Sequence, residues 1–592
     1  MAEKERVLLM GAGMTFPDAS LSGRVTLGYA KALVDLGYEV VLADDLPHPD
    51  LEMLPSLGIP FYIEPLTQGT VRRLAELFGA HYLLWELRGG MPSVPGFSWK
   101  AGGEVDPFRQ LERWRSAQEL GRGPTSLTGG RATEEGWAAV AFDGEEAKLL
   151  AACLPPGTRN RQVQRSILEI ARKLVWPGVW EMELELSRGM VVAILGVLSR
   201  PDRIYAVTDE IGGLDPASLH LRLVLGLRAL PARLESIWLD DDERLLGNPG
   251  FSEMESGNGA HGMPDSAFLH PEDDAVMVKV SCLPLDGELK LTLWEELEES
   301  GFVNGTGLAV APPCDLGKDV AVELLRKAVE LLPRHRSPVT IKAFLRGGSI
   351  DLVGLEDGTR DWPFSFWIDR IFGSARVVAG GISMDGYLSS LNGKGPYLAR
   401  IPAPVGERGN TSDTGMRGAR NGSWGYRLAM GKTLEEVLAR AVHALYEGRS
   451  PGRKVVLSVA DRQKRELVGL ARELASMGYA FYATEGTARA LKMVGIEAEK
   501  VKKLKEGSPN ILDVLRSERV DLVINVPRGH GPMSDGRYIR EGAAAACIPC
   551  FTRVLSAWYL VRGMKNADPE TWEAMPVELY KREIHDISSL AG

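Results

Sequence analysis

The chain has 592 residues, of which 44% are hydrophobic and 25% charged, with a formal net charge of −10. That balance is ordinary for a globular protein, and the absence of a basic bank makes nucleic acid an unexpected main partner. No apolar run reaches the ~18 residues of a membrane span, and five scattered cysteines suit a reducing cytoplasm better than a disulfide framework.

From the N-terminus, Arg6–Met10 reads as a buried strand, Val25–Leu36 as a helix stopped at Gly37, and Glu39–Ala43 as a second strand. Phe61–Glu64, a helix around Val71–Phe78 and His81–Trp85 continue the alternation, which predicts a parallel α/β layer. Gly11-Ala12-Gly13 follows the first strand, but position 16, where a dinucleotide fingerprint wants its third glycine, is Phe16.

Helical patterns are expected around Gln110–Gly121 and Arg161–Val175, and Trp180–Leu186 with Met190–Leu198 reads as a hairpin. Gly247–Asp265 and Gly406–Gly425 read as polar, glycine-rich loops. Lys318–Leu332 and Thr433–Tyr446 are amphipathic helices. Val339–Leu345 and Ser349–Leu355 form a second hairpin around Gly347-Gly348.

After the polar linker Glu447–Gly452 a fresh alternation begins. Lys454–Ser458, Ala480–Ala483 and Val520–Val526 read as strands, and Lys464–Ser476 as a helix. Thr484-Glu485-Gly486-Thr487 is expected to turn into a helix at Ala488–Met493. Such a turn exposes backbone N–H groups and the positive end of the helix dipole, so it suits an anion. Lys464 and Lys503 could add charge, and Asn525 sits near a strand end where ligands bind in open α/β sheets. An ordinary capped helix start explains Thr484–Thr487 equally well. Cys547-Ile548-Pro549-Cys550 has redox or zinc spacing, but it lacks a second ligand pair and reads as two inert cysteines.

Several short stretches occur together in order: Leu457-Ser458-Val459-Ala460-Asp461-Arg462-Gln463-Lys464, Ala483-Thr484-Glu485-Gly486-Thr487-Ala488, Val501-Lys502-Lys503 and Val523-Ile524-Asn525. They resemble the methylglyoxal-synthase-like regulatory domain that closes the large chain of carbamoyl-phosphate synthase. That resemblance implies a phosphorylated small-molecule effector, such as a nucleoside monophosphate, held by Lys464, Thr484, Gly486, Thr487, Lys503 and Asn525. A threonine often found two residues after the asparagine is Pro527 here, which removes a donor. The region of the family's lyase base reads Gly507–Asp513, and Asp513 is expected on a helix surface.

Upstream, Tyr62-Ile63-Glu64-Pro65-Leu66-Thr67, Val310-Ala311-Pro312-Pro313, Thr359-Arg360-Asp361-Trp362-Pro363-Phe364 and Asp413-Thr414-Gly415 resemble one synthetase half of the same family. The resemblance implies an α/β protein of three blocks: a pre-ATP-grasp domain at 1–97, a diverged ATP-grasp (α+β) domain at 98–450 and a methylglyoxal-synthase-like parallel α/β domain at 451–592.

The family's Glu-x-Asn metal pair falls on Val353 and Leu355, or on Gly354 and Glu356 with a one-residue slip. Glu356 and Asp357 are therefore the candidate metal ligands of a rearranged site. ATP and Mg²⁺ are expected only if that site works. The resemblance leaves three readings: an effector-binding protein with a degenerate ATP-grasp site, an active ATP-dependent ligase or kinase, and an assembly subunit pairing with another synthase chain or with itself. It also points to pyrimidine or arginine metabolism.

Overall fold

The computed structural model describes residues 4–11, 19–85, 134–155, 161–172, 177–187 and 190–198, and positions between 204 and 239. It further describes 275–298, 307–358, 361–402, 426–446, 452–526 and 535–590, the longer ranges with short gaps. The chain divides into two compact units. The first draws on residues up to Phe61 and on Val71–Asn258, the second on Tyr62–Thr70, Gly259–Val405 and Gly425–Gly592. The expected block boundaries near 97 and 450 fall outside the described residues, as do Phe16, the 110–121 helix and both glycine-rich loops.

In the first unit, β1 (Arg6–Met10) lies between β2 (Glu39–Asp44) and β4 (Tyr82–Trp85), all parallel. The strand β3 (Phe61–Ile63) leads into the Tyr62–Thr70 segment of the second unit. Gly11 follows β1 in close approach to β2. Its N–H donates to the Ala43 carbonyl at 2.9 Å, and a Cβ there would stand 2.0 Å from the Asp44 carboxylate. A second sheet holds β5 (Glu134–Phe142), β6 (Ala147–Cys153), β7 (Gly178–Ser187), β8 (Met190–Leu198) and β9 (Ile237–Leu239), in the order β8-β7-β5-β6-β9. The expected hairpin is its antiparallel β7–β8 pair.

The second unit contains a large antiparallel sheet with the backbone order β14-β13-β10-β11-β12-β17-β18. Its strands are β10 (Val276–Leu285), β11 (Glu288–Glu298), β12 (Leu308–Ala311), β13 (Val339–Arg346) and β14 (Ser349–Asp357). The short β15 (Ala375–Val378) and β16 (Gly381–Ser383) attach beside β11, and β17 (Tyr397–Pro402) and β18 (Tyr426–Gly431) complete it. Successive strand residues face opposite sides, and the two sides differ in chemistry. Val278, Val280, Leu291, Leu293 and Ile341 pack with Ala321, Leu324 and Leu325 of the helix Lys318–Leu331 into an apolar core. The other face carries Lys279, Trp294, Glu296 and Arg400 beneath the helix Trp362–Phe372, whose Ser365 hydroxyl donates to Ser281 at 2.8 Å.

The C-terminal part of this unit is a five-stranded parallel sheet in the order β21-β20-β19-β22-β23. These are β19 (Lys454–Val459), β20 (Ala480–Thr484), β21 (Glu499–Val501), β22 (Leu522–Val526) and β23 (Cys550–Phe551). Helices cover both faces, with Leu467, Leu470 and Leu474 on one side and Ile511, Val514 and Ile539 on the other. The helix Glu485–Lys492 begins three residues before the expected Ala488, so the supposed turn is the helix's own first turn, with Thr484 as the residue before it. Gly486 and Thr487 are weak helix formers, and this hides the start.

The parallel sheet's core extends upstream of the linker. Val442 is buried in it, Leu445 and Tyr446 pack against it, and the Tyr446 hydroxyl donates to the Asp521 carbonyl at 3.0 Å. A fragment starting at Gly452 loses those contacts, whereas one starting at Lys432 keeps the whole helix Leu434–Leu445. Two or three half-buried apolar side chains are worth about 2–4 kcal/mol. The longer fragment is therefore expected to unfold at distinctly higher urea, and equal midpoints would show that the helix adds nothing to that domain.

Candidate functional site

The C-terminal ends of β19, β20 and β22 meet at one edge of the parallel sheet. The chain runs from β19 outward through β20 and β21, then returns to the other side of β19 as β22, so the strand order reverses beside β19. Ligands in open α/β sheets bind at such a reversal, outside the carboxyl ends of the strands.

Thr484 ends β20 and stands immediately before the helix Glu485–Lys492. Its side chain does not bond the first-turn amides; its hydroxyl pairs with that of Thr487 at 3.2 Å. The first-turn N–H groups have no partner within the helix, which is the general condition of a helix start. Thr487 is fully buried, and its hydroxyl oxygen accepts from the Val459 N–H at 3.2 Å. Thr487 thus ties the end of β19 to the helix start.

Lys464 reaches this point from the neighbouring helix Lys464–Ser476. A Cβ added to Gly486 would lie 2.9 Å from the Lys464 ammonium, so the absent side chain at 486 is what lets the charge sit over the first turn. Lys464 also pairs with the Asp461 carboxylate, and its side chain is only 16% exposed.

Asn525 lies at the same edge, level with Ser458 of β19. It is buried, and its side-chain amide donates to the Gly536 carbonyl at 2.9 Å. Lys503 follows β21, whose Val501 is level with Thr484; its backbone N–H donates to Glu506 at 3.0 Å and the residue is exposed. Of the residues named from sequence, the fold brings Lys464, Thr484, Gly486 and Thr487 together. It places Asn525 and Lys503 on the same sheet edge, Asn525 with its amide already engaged. Pro527 lies outside the described residues.

Asp513 lies in the first turn of the helix Ile511–Ser517. Asn510 and Asp513 form a reciprocal capping box, and hydrogen bonds from the Asn510 backbone and Ser508 hold the Asp513 carboxyl below the ordinary aspartate range. Cys550 is buried in β23, and burial pushes its thiol far up, away from reactivity; Cys547 lies outside the described residues.

The antiparallel sheet carries a second constellation, which sequence reasoning did not assemble. The Arg400 guanidinium grips both Glu296 oxygens at 2.7 and 2.8 Å and Asp361 at 2.5 Å, over the face of Trp294. Lys279 pairs with Glu296 at 3.3 Å and with Glu356 at 3.2 Å, and Lys342 lies 4.0 Å from Glu356. Burial opposes the charge on Glu356, yet Lys279 and Lys342 outweigh it and leave its carboxyl below the ordinary glutamate value.

Among the described residues, no group of three or more His, Cys, Asp or Glu is arranged to hold a metal ion. At the end of β14, Val353 and Leu355 offer no oxygen, and Glu356 already answers two ammonium groups. Hard divalent cations need several oxygen ligands, so this donor set does not fit a Mg²⁺ pair. Asp357 is exposed at the same strand end.

The model of the MGS-like domain matches residues 466–552, which include Thr484, Thr487, Lys503 and Asn525. The chain is 31% identical over 270 residues to the carbamoyl phosphate synthase large chain of Clostridium botulinum, covering 44% of this chain and 25% of that protein. It is 29% identical over 341 residues to the same-named protein of Thermomicrobium roseum, covering 55% and 31%.

The chain is similar to carbamoyl phosphate synthase large chains over about half of its own length. It matches only a quarter to a third of those relatives' lengths. Its C-terminal parallel sheet holds the match to the MGS-like domain and is preceded by a mixed α/β body. The overlap with solved structures is slight: a glycinamide-RNase-transformylase T from Mycobacterium tuberculosis, 15% identical, covers 39% of this chain and 82% of its own with a TM-score of 0.27. No described helix of this synthase-like chain is long and apolar enough to cross a membrane.

Proposed function

We propose that this chain is a regulatory, synthase-like protein whose C-terminal domain binds a phosphorylated small molecule and whose body does not carry out ATP chemistry. The observation that carries the binding half is the Lys464 ammonium seated over Gly486 at an uncapped helix start. A phosphate dianion placed there would accept from first-turn N–H groups and meet a cation, the two things that make helix starts bind phosphate. A nucleoside monophosphate belongs to the ligand class that the family resemblance implies. The test is a thermal-shift screen of purine and pyrimidine monophosphates, with inorganic phosphate and ornithine as controls. If no phosphorylated compound moves the melting curve, the reading fails.

The second half is supported by the ion cluster. Lys279, Lys342 and Arg400 neutralise Glu296, Glu356 and Asp361 from within the chain, where a phosphoryl-transfer site would need carboxylates free for metal. The chain alone is expected to release no ADP in a bicarbonate-dependent manner. Release at an ordinary enzyme rate, on the order of 1 s⁻¹ or more, would favour the ligase reading. If Glu356→Gln then abolished it, the rearranged site would be at Glu356 and Asp357. Pairing with another synthase chain is the remaining proposal. A native mass equal to one chain, alone and after mixing with a synthase partner, would count against it.

A further inference from the structure

We propose that Asp461 is a tethered counter-anion that competes with the ligand for Lys464, so that binding at the Gly486 turn is an exchange of one anion for another; this rests on the phosphate-binding reading above. Three observations place the two anions in competition. The Lys464 ammonium touches the Asp461 carboxylate and, from the same position, overhangs Gly486. Lys464 is mostly buried while Asp461 is 67% exposed, so the carboxylate can swing into solvent but the ammonium cannot readily follow it. Asp461 also lies in the short helical turn Asp461–Gln463, anchored to the start of the helix Val554–Met564 by the buried Gln463, whose side-chain oxygen accepts from the Val554 N–H at 3.4 Å. The tether therefore keeps the carboxylate close in the unliganded protein.

The consequence is a threshold. A free carboxylate arriving at Lys464 replaces an equivalent group that is already tethered there, and it gives up translational freedom to do so. A phosphate dianion brings more charge and three acceptor oxygens, and it can bond first-turn amides as well as the ammonium. Asp461 is then a specificity-determining residue that screens out weak anions.

The experiment is calorimetric titration of the full chain with inorganic phosphate at fixed ionic strength, on the parent, Asp461→Asn, Lys464→Ala and the double variant. The Asp461 carboxylate is solvated, so the pair is worth little more than a surface ion pair, and Asp461→Asn is expected to tighten phosphate binding roughly two- to fivefold. In the Lys464→Ala background the same change should have no effect, because there is nothing left to compete for. Equal tightening in both backgrounds would reduce the effect to net charge and overturn the proposal. Weaker binding by Asp461→Asn would also overturn it, making Asp461 a ligand contact. Loss of binding in Lys464→Ala with Asp461→Asn unchanged from the parent removes the competition but leaves the phosphate site standing. Phosphate binding in none of the four variants removes both.

Discussion

Lys464→Ala is expected to weaken binding of a nucleoside monophosphate roughly 10- to 100-fold. A hydrogen bond to a charged group is worth about 1.5–3 kcal/mol, and about 1.4 kcal/mol is one decade in affinity. The upper part of that range is reasonable because the Lys464 side chain is mostly buried, and solvent screens it less than a surface lysine. The readout is direct. At about 100 times its dissociation constant a ligand stabilises the parent by roughly 2.7 kcal/mol, and most of that shift should vanish in the variant. Lys464→Arg separates charge from shape. A guanidinium keeps the charge, but its planar fork is bulkier than an ammonium seated 2.9 Å from where a residue-486 Cβ would be. Intermediate binding by Lys464→Arg supports the close-approach argument. Parent-like binding by Lys464→Ala sinks the site.

The elements that were legible in the sequence share local signals. The helix Lys464–Ser476 has apolar residues at helical spacing and a following glycine, Gly478, in the left-handed region at φ +81°. The β13–β14 hairpin was announced by Gly347-Gly348, both at positive φ. An equally good signal went unread: Asp286-Gly287 turns the long β10–β11 hairpin, again with both residues at positive φ. The proposed phosphate site was half legible, because Lys464, Thr484, Gly486 and Thr487 form two short local motifs. What sequence could not give is that Asp461 already holds Lys464, or that Asn525 spends its amide on Gly536. The ion cluster was barely legible, since its members lie on five strands and a helix start. Glu296 and Arg400 meet because each is level with Ala309 of β12, and that depends on pairing register. A lone lysine inside the apolar run of β10, at Lys279, was the one hint that this face of the sheet is charged.

Arg400→Met is expected to destabilise the second unit by about 3–5 kcal/mol, the cost of leaving buried charges without their partner. Glu296 is 1% exposed and loses a bidentate bond, and Asp361 loses its shorter one. Lys279 remains beside Glu296, so the loss should stop short of complete unfolding. Arg400→Lys should recover only part of the loss, because an ammonium cannot form the fork that reaches both carboxylates. Adding Glu296→Gln to Arg400→Met should cost less than the sum of the two single changes, since it removes a charge that the first change stranded. Urea unfolding of the parent, the three single variants and the double variant reads this directly. Acid gives an independent check. The Glu356 carboxyl sits below its ordinary value of 4.5 in the folded chain, so its contribution is complete above that pH and is lost as pH falls through the lower folded value. In Lys279→Met the main attraction is gone, so the Glu356 part of the acid loss should be smaller than in the parent. A cost below about 1 kcal/mol for Arg400→Met, the size expected of a solvated surface pair, would mean that these carboxylates are not bound tightly by the chain's own cations. The case against a divalent pair in the body would then lose its main support, and the ligase reading would regain ground.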